Sequence, residues 1–258
     1  MVKLHLALLV CDTPKPFIVE KYGDYPCMFQ KVFNAAVTEE KDVQVTWEFF
    51  DVVHKQDYPK DISLFDGIVI TGSAASAYND DPWILKLVSF LQEQFNHPKK
   101  VKIVGVCFGH QIIARAAGGK CEKNINGWEF GYTEIDLTPI GKQFFKTDKS
   151  ILRLNQVHQD HVSELPAGYQ VLASTAHTPI HSFLSADGQC ITIQGHPEYN
   201  RDTVRMFLQF RRDAGIISRE FAEKALAKLD SVGPEMEDVW LVCYFLDFLQ
   251  GKLALNES

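Results

Sequence analysis

Lys102-Ile-Val-Gly-Val-Cys-Phe-Gly-His-Gln111 is the stretch that decides the reading of this chain. The apolar run Val101 to Val106 predicts a buried strand, and His110 to Ala117 has helix-forming character. Between them Gly105 and Gly109 flank Cys107 in a Gly-x-Cys-x-Gly pattern. Strand, tight turn and helix with a thiol at the apex is the cysteine counterpart of the serine nucleophile elbow. The glycines suit a turn whose backbone approaches its neighbours too closely for a Cβ. The positive end of the following helix favours a thiolate. A small buried cysteine that merely packs a strand end would look the same in isolation, since cysteine is often core.

A second segment argues against that plainer role. Ile191-Thr-Ile-Gln-Gly-His-Pro-Glu-Tyr199 is a short β-like run ending in a glycine turn. It presents His196, with Glu198 two positions on. A nucleophilic thiol needs a base, and the base needs an acceptor to fix its tautomer and steady the imidazolium. Cys107, His196 and Glu198 supply those three parts. The residue after the nucleophile, Phe108, offers one backbone N–H to an oxyanion. Gln111 lies one helical turn beyond Cys107 and faces the same side.

The surrounding pattern is an α/β one. Leu4 to Val10, Val43 to Val53 and Phe65 to Thr71 read as strands. Pro14 to Pro26 reads as loop, and Met28 to Val37 has helix spacing. Asp81-Pro82 opens a helix with an acidic N-cap and proline at N1, carrying the apolar stripe Trp83, Leu87, Phe90, Leu91 and Phe95. The helix after Cys107 stops at Gly118-Gly119. This alternation predicts a mostly parallel central sheet flanked by helices, with ligands beyond the carboxyl ends of the strands. Gly72-Ser73 and Cys107 both fall at such ends. The middle then changes character: Trp128 to Leu137, Tyr169 to Ser174, Ile180 to Leu184 and Cys190 to Gln194 predict an antiparallel section, with a hairpin at Ala186-Asp187-Gly188. Arg201 to Arg212, Ser218 to Leu229 and Glu235 to Gln250 predict helices. Trp240, Val242, Phe245 and Phe248 are too apolar for a solvated tail and require a core or a partner. The last residues, Asn256 to Ser258, are expected to fray. The expectation is a single domain over 1–258, with a core of about 1–205 and a helical extension of about 206–258.

Composition excludes several classes. The chain has 258 residues, 46% hydrophobic and 23% charged, with a net charge of −7. That is ordinary for a soluble globule and unfavourable for binding nucleic acid, and no basic run or basic–aromatic interleaving appears. Leu4 to Val10 is short, contains His5 and lacks a small-residue cleavage site, so it reads as a strand rather than a signal peptide. No stretch approaches the about 18 to 20 apolar residues of a membrane span. The six cysteines (Cys11, Cys27, Cys107, Cys121, Cys190, Cys243) are scattered without a Cys-x-x-Cys, which suggests reduced thiols in the cytoplasm. No basic import cluster separates cytosol from nucleus. His158, His161, His177 and His181 have spacings seen in metal sites, but no cysteine or carboxylate arrangement completes a set, and no metal or other cofactor is expected.

Gly-Val-Cys-Phe-Gly-His-Gln followed by Gln-Gly-His-Pro-Glu resembles the class I, triad-type glutamine amidotransferases. The resemblance extends to Ile70-Thr-Gly-Ser73, Asn126-Gly-Trp-Glu-Phe-Gly131 and Val157-His-Gln-Asp-His-Val162, and covers about residues 1–205. It implies a flavodoxin-like fold and attack of Cys107 on the γ-carbonyl of a glutamine or γ-glutamyl group, giving a γ-glutamyl thioester. It also implies that the turn at Gly72 and Ser73 completes the oxyanion hole, that Gln111 helps hold the α-amino acid end, and that backbone around Val157 and His158 lines the glutamyl pocket. Thr71-Gly72-Ser73 stands where many members have Gly-Gly, which leaves open which N–H of the turn faces the site. The chain has no room for a synthetase domain and no Gly-x-x-x-x-Gly-Lys loop. It is therefore expected to act on a small molecule by itself, as free-standing γ-glutamyl peptidases do, or to supply ammonia to a separate synthetase subunit. A non-catalytic partner protein that retains the fold, and a redox or chaperone-like thiol protein, are the alternatives from other classes.

Overall fold

The computed structural model describes residues 1–37, 42–231, 233 and 236–255. Glu235, the expected start of the last helix, and Asn256 to Ser258 lie outside them.

The first half runs β1 (Val2–Val10), α1 (Pro16–Tyr22), α2 (Tyr25–Ala36), β2 (Val43–Asp51), β3 (Gly67–Ile70), α3 (Pro82–Asn96), β4 (Lys102–Val106) and α4 (Phe108–Ala116). The second runs β5 (Lys120–Lys123), β6 (Glu129–Leu137), α5 (Pro139–Phe145), β7 (Ile151–His158), β8 (Asp160–Glu164), β9 (Gln170–Ser174), β10 (Ser182–Leu184), β11 (Cys190–Ile193), α6 (Arg201–Asp213), α7 (Arg219–Ser231) and α8 (Asp238–Leu249).

Among the described residues nine strands form one sheet in the order β2-β1-β3-β4-β11-β10-β9-β6-β7, and β5 pairs with β8 apart from it. The strands from β2 to β11 are mutually parallel, and the ladders from β11 to β7 are antiparallel. The result is a mixed α/β sheet with flanking helices, whose antiparallel part is as wide as its parallel part. The central strands β3 and β11 are buried along their whole length, because helices cover both faces of a parallel sheet. Strand alternation divides the core: Leu6 and Leu8 of β1 face α2 and α8, while Ala7 and Leu9 face α3 and α4.

The stretch from Pro14 to Pro26 is not loop, as its prolines suggested. It holds α1 and the start of α2. Pro16 and Pro26 sit in the first turns, where no N–H is needed, so they open helices instead of breaking them. Asp24 caps α2 by accepting from the Cys27 N–H at 3.0 Å, and Gly23 (φ 84°) makes the turn between the two helices. The segment Val157 to Val162 consists of the end of β7 and the start of β8 with Gln159 alone between them. No helix among the described residues is long and apolar enough to cross a membrane.

The C-terminal helices are part of the core. α8 buries Leu241, Val242, Phe245, Leu246, Phe248 and Leu249, and Trp240 packs half-buried against Phe145 with ring centroids 5.6 Å apart. Leu249 comes so near β3 that a Cβ on Gly67 would stand 2.3 Å from its Cδ2. Phe245→Ala is therefore expected to cost about 3–5 kcal/mol in urea unfolding. A loss below about 1 kcal/mol would show that α8 contributes little to the core.

Candidate active site

The elbow is built by close packing. Cys107 has φ 53° and ψ −104° and is the N-cap of α4. A residue other than glycine in that region is strained by about 1–3 kcal/mol, and such strain persists only where the surroundings enforce it. Here they do. A Cβ on Gly105 would lie 2.6 Å from the Gly109 carbonyl oxygen, and one on Gly109 would lie 2.5 Å from the Ile70 carbonyl oxygen. The Cys107 N–H donates to the Ile193 carbonyl at 2.8 Å, tying the elbow to β11. Cys107 is 5% exposed and lines two neighbouring cavities. The thiols of Cys11, Cys121 and Cys190 are also buried, and burial pushes all three upward, Cys121 to about 12. Among the described residues no disulfide joins two cysteines.

His196 arrives from the end of β11, the strand beside β4. Its N–H donates to the Asn155 carbonyl at 2.9 Å. Nδ1 lies 2.7 Å from Glu198 Oε1, both side chains being buried. That contact assigns the proton on Nδ1 to the Glu198 bond and leaves Nε2, which has no partner among the described residues, for a reacting group. Burial works against a charged imidazole, but the Cys107 thiolate and the Glu198 carboxylate outweigh it and raise His196 to about 10. The imidazolium form of His196 is therefore favoured beside Cys107. Tyr199 stacks on the imidazole, centroids 4.3 Å apart and planes at 12°. Its hydroxyl meets that of Tyr25 at 2.8 Å, and burial holds both phenols well above their usual range.

The turn at Gly72 and Ser73 closes over this pair. A Cβ on Gly72 would stand 3.0 Å from His196 Cε1 and 3.5 Å from Cys107 Cβ. Asp12 fixes the turn by accepting from the Ala74 N–H at 2.7 Å, and Thr71 Oγ1 accepts from the Cys11 N–H at 2.9 Å. The backbone N–H groups of Gly72, Ser73 and Phe108 donate to no group among the described residues.

Gln111 and His158 line the cleft yet are tied into its frame. Gln111 Nε2 donates to the Asp160 carbonyl at 2.9 Å and to Gln194 Oε1 at 3.0 Å. Gln194 in turn donates from Nε2 toward Cys107 Sγ at 3.5 Å. Gln194 lay inside the second motif, but nothing in the sequence signalled that its amide would bridge the cysteine and Gln111. Val157 lines both cavities. His158 has Nδ1 3.1 Å from the Asp160 carbonyl and Nε2 3.0 Å from Glu129 Oε2.

Glu129 is the carboxylate that the histidine spacings lacked. Its Oε2 also meets His181 Nε2 at 3.2 Å and accepts from Thr178 Oγ1 at 2.8 Å, while Oε1 accepts from Thr175 at 3.0 Å. Glu129, His158 and His181 are close enough to hold a cation. The contacts between them are hydrogen bonds, however, and satisfy the carboxylate without one. Burial opposes its charge, but the bonds from His158 and His181 prevail and hold Glu129 far below the usual carboxylate range. Burial lowers the His158 imidazole, while Glu129 and the Asp160 carbonyl act in the other direction.

The mixed α/β sheet that carries the elbow cysteine and the carboxylate-backed histidine has the architecture of the class I glutamine amidotransferases. The profile described as "Glutamine amidotransferase class-I" matches residues 28–212. A glutamine amidotransferase-like protein of Schizosaccharomyces pombe is 36% identical over 235 residues, 88% of this chain and 92% of that protein. Gamma-glutamyl peptidase 5 of Arabidopsis thaliana is 31% identical over 252 residues, 95% of each. The crystal structure of a glutamine amidotransferase from Thermotoga maritima superposes with a TM-score of 0.67 at 19% identity, covering 95% of this chain and 97% of that one. The chain belongs to the class I glutamine amidotransferase family.

Glu129→Leu would leave the two imidazoles and two hydroxyls without their acceptor. It is expected to cost about 3 kcal/mol or more in urea unfolding. Because the folded carboxyl is depressed, its contribution is present above the ordinary glutamate value of 4.5 and fades as pH falls below it. The wild-type chain should therefore lose stability more steeply than the variant below that pH. Parallel acid-unfolding curves would refute this account of the cluster.

Proposed function

We propose that the chain hydrolyses γ-glutamyl amide bonds through a thioester on Cys107. The observation that carries this reading is the common cavity of Cys107 and His196, with Glu198 2.7 Å behind the imidazole. The likeness to Arabidopsis γ-glutamyl peptidases over 95% of the chain supports the bond type.

The thiolate of Cys107 attacks the γ-carbonyl carbon. The carbonyl electrons move to oxygen, and that oxyanion accepts from Phe108 N–H and from the turn at Gly72 and Ser73. The tetrahedral adduct collapses as the carbon–nitrogen bond breaks and His196 Nε2–H protonates the departing amine. A γ-glutamyl thioester remains. His196, now neutral at Nε2, takes a proton from water as water attacks the thioester carbonyl. Collapse returns the sulfur as thiolate beside imidazolium and releases glutamate. Glu198 keeps its bond to Nδ1 throughout, and Tyr199 limits how far the ring can tilt. A small-molecule substrate is sufficient for every step.

The test is glutamate released from γ-glutamyl peptides and, separately, from glutamine. Cys107→Ala is expected to lower kcat/KM by at least about a thousandfold. Release of glutamate from neither substrate, or release undiminished in that variant, refutes the reading. Glu198→Gln removes a charge that raises His196. It is expected to lower kcat/KM by about 10²–10⁴-fold and to move the alkaline limb of the pH profile to lower pH. An alkaline limb that stays in place would remove Glu198 from this role.

A further inference from the structure

The cavities on either side of Cys107 share a wall that the proposed reaction leaves unused. One, of about 240 Å³, is lined by Gln111, Trp128, His158 and Asp160. The other, of about 320 Å³, holds His196 and is walled by Tyr25, Tyr199, Phe207, Phe210 and Ile216. Arg211, in the last turn of α6, lines both.

Arg211 differs from its neighbours on that helix. Arg205 pairs with Asp230 and Arg212 with Asp213. The guanidinium of Arg211 instead lies over the rings of Trp128 and Phe130, 4.3 and 5.5 Å from their centroids. It makes no hydrogen bond or ion pair among the described residues. The rings take water from its faces and leave the N–H fork free. Burial disfavours its charge, while Tyr199 and Cys107 act in the other direction. A half-buried guanidinium with open donors is suited to bidentate pairing with a carboxylate.

The cavity that contains His196 is where the departing amine is protonated in the reaction proposed above, on which this inference rests. Ammonia, about the size of a water molecule at roughly 30 Å³, would fill about a tenth of it. An amino acid or short peptide would use its length and its apolar walls, and would bring a free carboxylate. The other charged groups on this side are Asp12 and Lys15. Asp12 is committed to the Ala74 and Thr13 N–H groups. Lys15 Nζ sits 5.9 Å from the Phe210 ring.

We propose that Arg211 is a specificity-determining residue that anchors the carboxylate of the leaving group, so that the preferred substrate is a γ-glutamyl amino acid or peptide with a free C-terminus and an apolar leaving residue.

The test measures binding apart from turnover. γ-Glutamylphenylalanine and its C-terminal amide are titrated calorimetrically into the Cys107→Ala chain, with Arg211 intact or replaced by Met or Lys. Both ligands keep the glutamyl α-carboxylate, and they differ in the leaving-group carboxylate alone. Arg211→Met is expected to weaken the acid about 10- to 100-fold and the amide less than about threefold. Arg211→Lys should recover part of the loss. Equal weakening of acid and amide places Arg211 on the glutamyl half or in the frame and overturns the proposal. Acid and amide binding alike to the unsubstituted Arg211 chain, or no binding of the acid, overturns it also. Glutamate release by the wild-type chain is read separately, so failure of the hydrolytic reading is distinguishable from failure of the anchor.

Discussion

The parallel ladder between β4 and β11 is the constraint on which the site depends. Val106 lies beside Ile193, and the next N–H along, that of Cys107, continues the ladder to the Ile193 carbonyl at 2.8 Å. This register puts the end of the first motif beside the start of the second. A slip by one residue would turn Cys107 to the other face of the sheet. Both strands are buried, so such a slip would also exchange the side chains packed on the two covered faces, where Ile103 and Ile191 sit in opposite core layers. Core packing and alignment of the site are thus one energetic requirement. Many buried aliphatic side chains, each worth about 1.5–3 kcal/mol, enforce a geometry that Cys107, strained at φ 53°, would not adopt alone.

The same economy of space explains the glycines. Gly105, Gly109 and Gly72 each face an atom that a methyl group would strike: a carbonyl of the following helix, a carbonyl of β3 and the imidazole of His196. The cysteine, the turn and the histidine are therefore held by backbone approach, without long flexible side chains between them. Groups fixed in this way need little reorganisation when charge develops, which is where preorganised sites gain most of their effect.

How much was legible in the sequence follows from the range of the interactions involved. The Gly-x-Cys-x-Gly elbow and the Gly-His-Pro-Glu turn are local, and strand and helix periodicity around them is local too, so fold class and candidate residues could be read directly. Pro16 and Pro26 misled because proline marks both loops and first helical turns, and choosing between them needs the register of the following helix. β7 was missed because Arg153, Asn155 and Gln156 interrupt its apolar pattern. Asn155 and Gln156 are almost fully buried, and Asn155 serves His196 and Tyr199 across the sheet. Glu129, Gln194 and Arg211 gain meaning from partners 29, 87 and 83 positions away. Such contacts have no periodic signature, and a lone Glu, Gln or Arg in sequence is most simply a solvated side chain.

The two sides of the site use different physics. On the side of Gln111, the side chains of Gln111, Gln194, His158 and Glu129 form a hydrogen-bonded frame whose polar groups are largely satisfied within the protein. Such a frame holds shape but has few free donors for a substrate. On the His196 side the walls are aromatic, the ring is fixed by stacking on Tyr199, and His196 and Arg211 stand among those walls. An apolar wall strengthens each of those charges by excluding water. It also disfavours an amine that leaves without a partner for its own charge. The wall opposite the hydrogen-bonded frame is α6, which follows directly from the His-Pro-Glu turn, so the chemistry of that wall is set by the residues α6 presents to the cavity.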